Sequence, residues 1–185
     1  MLHIVRHGRT KINAEGRLLG RENPGLDEVG REQAENVSKL LGEVDLVISS
    51  PLARAIETAE YISSDIKVDE RWIELDYGNF EGVHPKEIDP DVWIKWRNDI
   101  AWAPPGGESL LSLGERVRKA CGEIIKEAKQ SEIVVVTHVS PIKAALAWSL
   151  DVGDSIAWRC YVSPGSLMSI AIEKNTPSLK SFNRL

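Results

Sequence analysis

Basic and histidine side chains follow three of the most apolar segments of this 185-residue chain. Arg6 and His7 come directly after the first segment, Arg54 lies shortly after the second, and His138 follows the strongest one. Two guanidinium groups that converge on one point favour a dianion, because each donates paired hydrogen bonds to phosphate or carboxylate oxygens. A neutral imidazole beside them could attack phosphorus if its other nitrogen keeps its proton. These residue types predict phosphoryl transfer through a phosphohistidine, without a metal.

Transfer of a phosphoryl group to histidine also requires a proton donor for the departing alkoxide. Glu74 is the best candidate, since the negative charge of a bound phosphate favours the protonated form of a nearby carboxyl group. Asp76 and Glu81 are weaker candidates in the same segment. Asn13, in the loop that follows the first apolar segment, is predicted to donate a further hydrogen bond to the phosphate.

Each of these residues has an ordinary structural explanation when it is considered alone. A histidine after a strand is more often a core or surface side chain with satisfied hydrogen bonds, and Arg54 alone is a charge on a helix surface. His3, early in its strand, and His84, before a proline, keep that explanation. The functional interpretation therefore depends on whether the fold brings the candidates together.

The predicted fold is an α/β domain in which strands and helices alternate. Such alternation favours right-handed crossovers and places the carboxyl ends of parallel strands at one edge of the sheet, where ligands bind. We expect one domain over residues 1–185, a three-layer α/β/α sandwich with a mainly parallel central sheet and the last strand at an edge. The strands are predicted at residues 2–5, 44–48, 66–68, 133–136, 167–172 and 179–182.

Local signals predict where three of the helices begin. A serine cap with proline at the first helical position predicts a start at Ser50 and Pro51, Ser112 with Glu115 fits a capping box, and Pro141 opens a helix. The helix amino termini after Ser50 and at Pro141 are expected to add positive potential at the phosphate site.

Residues 71–108 are rich in Trp, Pro, Asp and Gly and predict an irregular lid insertion over the carboxyl edge of the sheet, with one helical piece near 92–97. Trp93, Trp96 and Trp102 lie in this region close to Arg97. We expect them to shape the pocket for the leaving group, and Arg97 to contact an anionic part of it.

Composition excludes several other classes of activity. The net charge is −5 and no block of like charge occurs, which argues against nucleic acid and against a membrane surface as partners. The apolar start is too short for a signal peptide, so we expect a cytoplasmic protein. Cys121 and Cys160 have no metal-ligand spacing, and Cys121 is typical of core packing. The sequence leaves open whether the chain is a monomer or a homodimer.

The segment 2–13 resembles the histidine phosphatase superfamily, in the branch that includes phosphoglycerate mutases. The signature is Arg-His-Gly followed by a Thr and an Asn, here Arg6 to Asn13. Further blocks resemble the family in the expected order and cover nearly the whole chain: residues 16–20, 49–59, 74–82, 105–109 and 134–138.

The resemblance implies a role for each candidate. It implies that His7 is the nucleophile, that Arg6, Arg54 and His138 hold the phosphoryl group, and that Glu74 donates a proton and later activates water. It implies no metal and no cofactor, and a small phosphorylated metabolite as substrate. The candidate substrate contacts are Asn13, Thr10, Gly20, Tyr77, Arg97 and Val139. Val139 departs from the glycine that the family often has, which crowds the pocket but keeps a backbone donor.

The resemblance leaves the reaction type to be decided. Mutases of the family carry extra residues within the block that is continuous here at 104–109, and a pair of basic residues where this chain has Arg97 and Asn98. This favours a phosphomonoesterase. The alternatives are a mutase that depends on 2,3-bisphosphoglycerate and a catalytically silent protein that binds a phosphorylated ligand. A metallohydrolase is disfavoured because the arginines beside the histidines would repel a divalent cation.

Overall fold

The computed structural model describes residues 1–185, which form one six-stranded mixed sheet with helices on both faces. The strands are β1 (Leu2–Arg6), β2 (Leu46–Ser49), β3 (Ile66–Val68), β4 (Ile133–Thr137), β5 (Leu167–Glu173) and β6 (Thr176–Arg184). The α-helices are α1 (Lys11–Ala14), α2 (Glu28–Leu41), α3 (Ala53–Glu60), α4 (Pro90–Asn98), α5 (Leu110–Ile124) and α6 (Val139–Leu150). None of them is long and apolar enough to span a membrane.

The strand order β3-β2-β4-β1-β5-β6 confirms the predicted mainly parallel sheet. Strands β1 to β4 are parallel to one another. β5 is antiparallel to β1, β6 is antiparallel to β5, and β6 lies at the edge of the sheet. In the register of the central pair, Arg6 lies opposite Thr137. The backbone N–H of His7 then donates to the Thr137 carbonyl over 2.9 Å. His7 and His138 therefore leave the same edge of the sheet side by side.

Alternate residues of the central strands build a separate core on each face, as the period of two requires. Ile4 and Val135 pack with α5 and α6, whereas Val5 and Val136 pack with α3 on the opposite face. Cys121 is fully buried in the first of these cores, which confirms its interpretation as a packing residue. The result is the predicted three-layer sandwich.

Two of the predicted helix starts are wrong. α3 begins at Ala53 with Leu52 as its N-cap and no side-chain cap, whereas the Ser50 hydroxyl contacts His138 Nε2 at 2.7 Å and accepts from the Leu52 backbone N–H at 3.4 Å. α5 begins three residues before the predicted box, since Ser109 caps it by accepting from the Ser112 backbone N–H. Local sequence patterns predicted the approximate position of both helices. Other side-chain contacts shifted the observed first turns away from the predicted ones.

α6 also begins earlier than Pro141 predicts. His138 is its N-cap and Val139 its first residue, so the first turn starts at the end of β4 without a loop. Proline is accommodated in this turn because its missing N–H would have no partner within the helix.

The lid segment contains three 3₁₀ turns (Glu70–Trp72, Gly78–Phe80 and Pro85–Glu87) and α4, and no strand. Trp96 on α4 is 1% exposed. Its ring stacks on Trp93 with the centroids 5.5 Å apart and meets Trp102 and Trp158 edge-on. An aromatic cluster therefore holds the lid segment, in place of the regular backbone pairing that this segment lacks.

The loop after β1 packs directly on the first turn of α2 through two glycines. A Cβ on Gly30 would lie 2.0 Å from the Arg9 carbonyl oxygen, and one on Gly8 would lie 2.1 Å from the Gly30 carbonyl oxygen. Contacts this short exclude any side chain at either position, so both glycines set the course of the backbone beside His7.

We expect Gly30→Ala to lower the free energy of unfolding by about 3 kcal/mol, since backbone atoms must move to admit the methyl group. Gly122→Ala is the matched control, because it also lies in a helix but has no atom within 4 Å of the added Cβ. It should raise stability by about 0.5–1 kcal/mol. Urea unfolding measures both, and equal effects of the two variants would contradict the packing argument.

Candidate active site

His7 lies one residue beyond β1 and is 3% exposed. Its Nδ1 is 2.7 Å from the Gly8 carbonyl oxygen, which can only accept, so this nitrogen carries the proton. Its Nε2 accepts a hydrogen bond from Arg54 Nε over 3.2 Å. Both contacts fix the neutral tautomer that has its lone pair on Nε2, as a nucleophilic imidazole requires.

His138 lies beside His7, with the ring centroids 4.9 Å apart. Its Nε2 is 2.7 Å from Ser50 Oγ, and its buried Nδ1 has no partner. Burial, and then the positive charge of Arg54, lower the pKa of both histidines well below 6.5. Both imidazoles are therefore neutral at pH 7.

Arg54 is completely buried in the first turn of α3. Two backbone carbonyls outside the sheet hold its guanidinium, Glu22 at 2.7 Å and Gly20 at 2.8 Å. Burial lowers the pKa of Arg54 to about 10, so it stays charged at neutral pH. The predicted contact residue Gly20 thus reaches the site through Arg54, which its carbonyl positions.

Arg6 completes the positive charge around His7. Its Nη1 donates to the Val162 carbonyl over 2.7 Å, and its buried Nε has no hydrogen-bond partner. Burial lowers the pKa of Arg6, with Glu74 opposing the shift. A guanidinium with an unused buried donor is suited to a ligand that brings acceptor oxygens.

The Glu74 carboxylate is 3% exposed and caps α6 from the lid segment. It accepts from the backbone N–H groups of Val139 at 3.0 Å and Ser140 at 3.1 Å, and from its neighbour Leu75 at 2.7 Å. The expectation that the amino terminus of α6 and the Val139 amide serve the phosphate directly is therefore corrected. In this structure these donors hold Glu74 at the site.

A cavity of about 450 Å³ lies beside His7, and the fully buried Arg54 and His138 do not line it. Its lining includes six of the predicted residues: Arg6, His7, Asn13, Glu74, Tyr77 and Val139. Thr10 does not line it, since it is fully buried as the N-cap of α1, where it exchanges hydrogen bonds of 3.2 Å with Asn13. Thr10 thus orients Asn13 and has no surface for a ligand.

The structure separates Arg97 from this cavity. Trp96 faces the core, and the next residue of a helix points about 100° away, so Arg97 is exposed and borders a different groove with Trp158 and Arg159. Its predicted contact with the leaving group is not supported. Trp93 and Trp96 do line a smaller apolar cavity of about 120 Å³ that shares residues with the main one, whereas Trp102 does not.

Several residues of the site were not predicted from the sequence. Arg9, Arg17, Lys143 and Tyr161 line the main cavity. Thr58 accepts from the Gly8 backbone N–H over 3.0 Å and donates to the Arg54 carbonyl over 2.7 Å, which ties the β1 loop to α3. Of these, only Lys143 had a usable signal, because it lies one helical turn beyond Val139 on the same face.

Residues 2–185 match the sequence model of the histidine phosphatase superfamily (branch 1). The chain belongs to this superfamily, as the arrangement of His7, His138 and the two arginines leads one to expect.

Curated relatives are proteins of bacteria. A bifunctional protein of Mycobacterium tuberculosis is 37% identical over 176 residues, which cover 90% of this chain but 48% of that protein, so the chain spans about half of its length. Glucosyl-3-phosphoglycerate phosphatase of Mycolicibacterium vanbaalenii is 31% identical over 79% of this chain and 72% of its own. Phosphoserine phosphatase 1 of Hydrogenobacter thermophilus is 30% identical, over 98% of this chain and 91% of its own.

Solved structures share the fold over the whole chain. A mycobacterial glucosyl-3-phosphoglycerate phosphatase, complexed with VO3, superposes with a TM-score of 0.89 at 28% identity and covers 100% of this chain and 98% of its own. A mutant phosphoserine phosphatase of Entamoeba histolytica, in complex with phosphoserine, has a TM-score of 0.91 at 26% identity. The match covers 98% of this chain and 95% of that one.

The buried neutral histidines make the stability of the fold sensitive to acid. Their folded pKa lies below the unfolded value of 6.5, so the unfolded chain binds more protons as the pH falls below 6.5. We expect the free energy of unfolding to fall between pH 7 and pH 5, by up to about 1.4 kcal/mol per pH unit for each histidine. Urea unfolding across this range measures it. A double variant, His7→Gln with His138→Gln, should show a shallower decline, and an unchanged slope would contradict the assignment.

Proposed function

We propose that the chain is a metal-independent phosphomonoesterase that hydrolyses small phosphate esters through a phosphohistidine on His7. The observation that carries the proposal is the tautomer of His7. Its Nδ1 proton is held by the Gly8 carbonyl, and its Nε2 lone pair is presented beside Arg54 at the cavity.

In the first half-reaction, His7 Nε2 forms a bond to phosphorus while the bond from phosphorus to the ester oxygen breaks. Arg6, Arg54 and His138 bind the three non-bridging oxygens, whose charge the guanidinium groups stabilise. Glu74 gives its proton to the departing alkoxide, so an alcohol leaves.

In the second half-reaction, water attacks the phosphohistidine and the bond from phosphorus to Nε2 breaks. The Glu74 carboxylate takes the proton from the water, which returns the residue to its starting state. Inorganic phosphate is the second product, and His7 is again neutral. Apart from the ester and one water molecule, no reactant is needed to balance the two steps.

Similarity to other proteins supports hydrolysis over the mutase reaction. Two of the three relatives and both solved structures described above bear the names of phosphatases. One structure of the Entamoeba histolytica phosphoserine phosphatase contains 3-phosphoglyceric acid. A cavity of about 450 Å³ has the size of ordinary small-molecule sites, which supports a small phosphorylated metabolite as substrate.

Phosphate release tests the proposal directly. The panel contains p-nitrophenyl phosphate, 3-phosphoglycerate, phosphoserine, sugar phosphates and α-ribazole phosphate, assayed in chelator with and without 2,3-bisphosphoglycerate. We expect release of phosphate in chelator and its loss in a folded His7→Ala variant. Conversion of 3- to 2-phosphoglycerate with little release would identify a mutase, and no turnover of any ester would favour a silent ligand-binding protein.

The proton-donor role of Glu74 predicts a dependence on the leaving group. Glu74→Gln keeps acceptor oxygen for the amides of α6 but cannot donate an acidic proton. We expect kcat/KM to fall about a hundredfold for alkyl phosphates and much less for p-nitrophenyl phosphate, whose alcohol leaves without protonation. Equal losses on both ester types would remove Glu74 from this role.

A further inference from the structure

Lys143 carries a charge in the cavity that the proposed reaction does not use. It lies on α6 one turn beyond Val139, and it lines both the main cavity and the smaller apolar cavity beside it. Its Nζ donates to the Ala157 carbonyl over 2.7 Å, and no carboxylate lies within 4 Å. An ammonium group has three donors, so two of them have no protein partner.

The other cations at the mouth of the main cavity are already paired. Arg9 Nε lies 2.8 Å from an Asp27 carboxylate oxygen, and Arg17 Nε lies 3.2 Å from one of Glu15. Lys143 has only a carbonyl oxygen. It is therefore the lining cation beyond the phosphoryl site that has no carboxylate partner.

The surroundings of Lys143 favour such an anion. Burial lowers the pKa of Lys143, and Arg6 adds to this effect, whereas Cys160 and Glu74 oppose it. A partly desolvated ammonium gains more from an anionic partner than an exposed one does, because the local dielectric constant is lower. The ammonium group of Lys143 therefore favours a ligand that carries negative charge.

The position of Lys143 along α6 indicates which part of a substrate it meets. The first turn of the helix holds Glu74, the proposed donor to the ester oxygen. Lys143 follows one turn further along, about 5–6 Å from the first turn. A negative group a few bonds beyond the ester oxygen, on the alcohol side, falls within its reach.

We propose that Lys143 determines specificity by binding a carboxylate on the leaving alcohol, so that the preferred substrates are phosphate esters of small hydroxy acids. This inference rests on the proposed phosphatase function. Lys143 takes no part in bond breaking, and its contribution is to the binding and orientation of the alcohol portion.

The test compares two esters that differ at one group. 3-Phosphoglycerate and glycerol 3-phosphate have the same carbon skeleton, with a carboxylate in one and a hydroxymethyl group in the other. The wild-type enzyme should have the higher kcat/KM for 3-phosphoglycerate. Lys143→Met should lower the ratio of the two kcat/KM values at least about tenfold, mainly through KM for the acid, since a binding contact is removed.

Three further variants make the result specific. Lys143→Arg should restore most of the ratio, because it restores the charge. Lys143→Gln, which keeps a polar donor without the charge, should behave like Lys143→Met and serves if the latter does not fold. Lys119→Met, at an exposed lysine of α5 that lines neither cavity, should change the ratio by less than about threefold.

The outcomes separate this inference from the function on which it rests. A ratio near one in the wild type, or a ratio unchanged in both uncharged variants, overturns the inference. Turnover of p-nitrophenyl phosphate without turnover of 3-phosphoglycerate overturns it as well and leaves the phosphatase function standing. Absence of turnover of every ester refutes the proposed function, and the inference with it.

Discussion

The burial of two guanidinium groups beside a neutral histidine is the constraint on which the rest of the site depends. Arg6 and Arg54 are both taken out of water, and no carboxylate forms an ion pair with either one. Backbone carbonyls of Gly20, Glu22 and Val162 stabilise them instead. Carbonyl dipoles hold each guanidinium in place without an ion pair, while Glu74 acts on both through its negative charge. An anionic ligand can therefore pair with them without displacing a carboxylate. The same charges lower the pKa of His7 and preserve its lone pair.

Three separate parts of the chain meet to satisfy this constraint. The parallel register of β1 and β4 places His7 beside His138, the loop 15–27 supplies carbonyls to Arg54, and the segment before β5 supplies one to Arg6. Glu74 joins the lid segment to α6 by accepting from two amides that a helix start leaves free. Glu74 therefore links the lid segment to the helix that begins directly after His138.

Much of the fold and of the candidate site could be predicted from residue patterns. The apolar runs predicted the strands within a few residues, and their alternation with helices predicted a mainly parallel sheet with β6 at its edge. Six predicted residues line the cavity because the carboxyl ends of parallel strands converge. The helix starts near Ser50 and Ser112 were wrong, since a serine can cap its own helix or bind a distant partner. The local sequence does not distinguish these uses.

What the sequence by itself determined is a set of candidate groups, namely two histidines, two arginines and a glutamate, most of which follow apolar strands whose carboxyl ends share one edge of the sheet. Only the tertiary structure decided which neighbours complete the site. The helical phase of α4 turns Trp96 inward and Arg97 away, and the course of the chain after α6 brings Ala157 to Lys143. Thr58, Gly30 and Gly20 act through contacts with residues remote in sequence. Such contacts have no local pattern, because they depend on packing distances between elements.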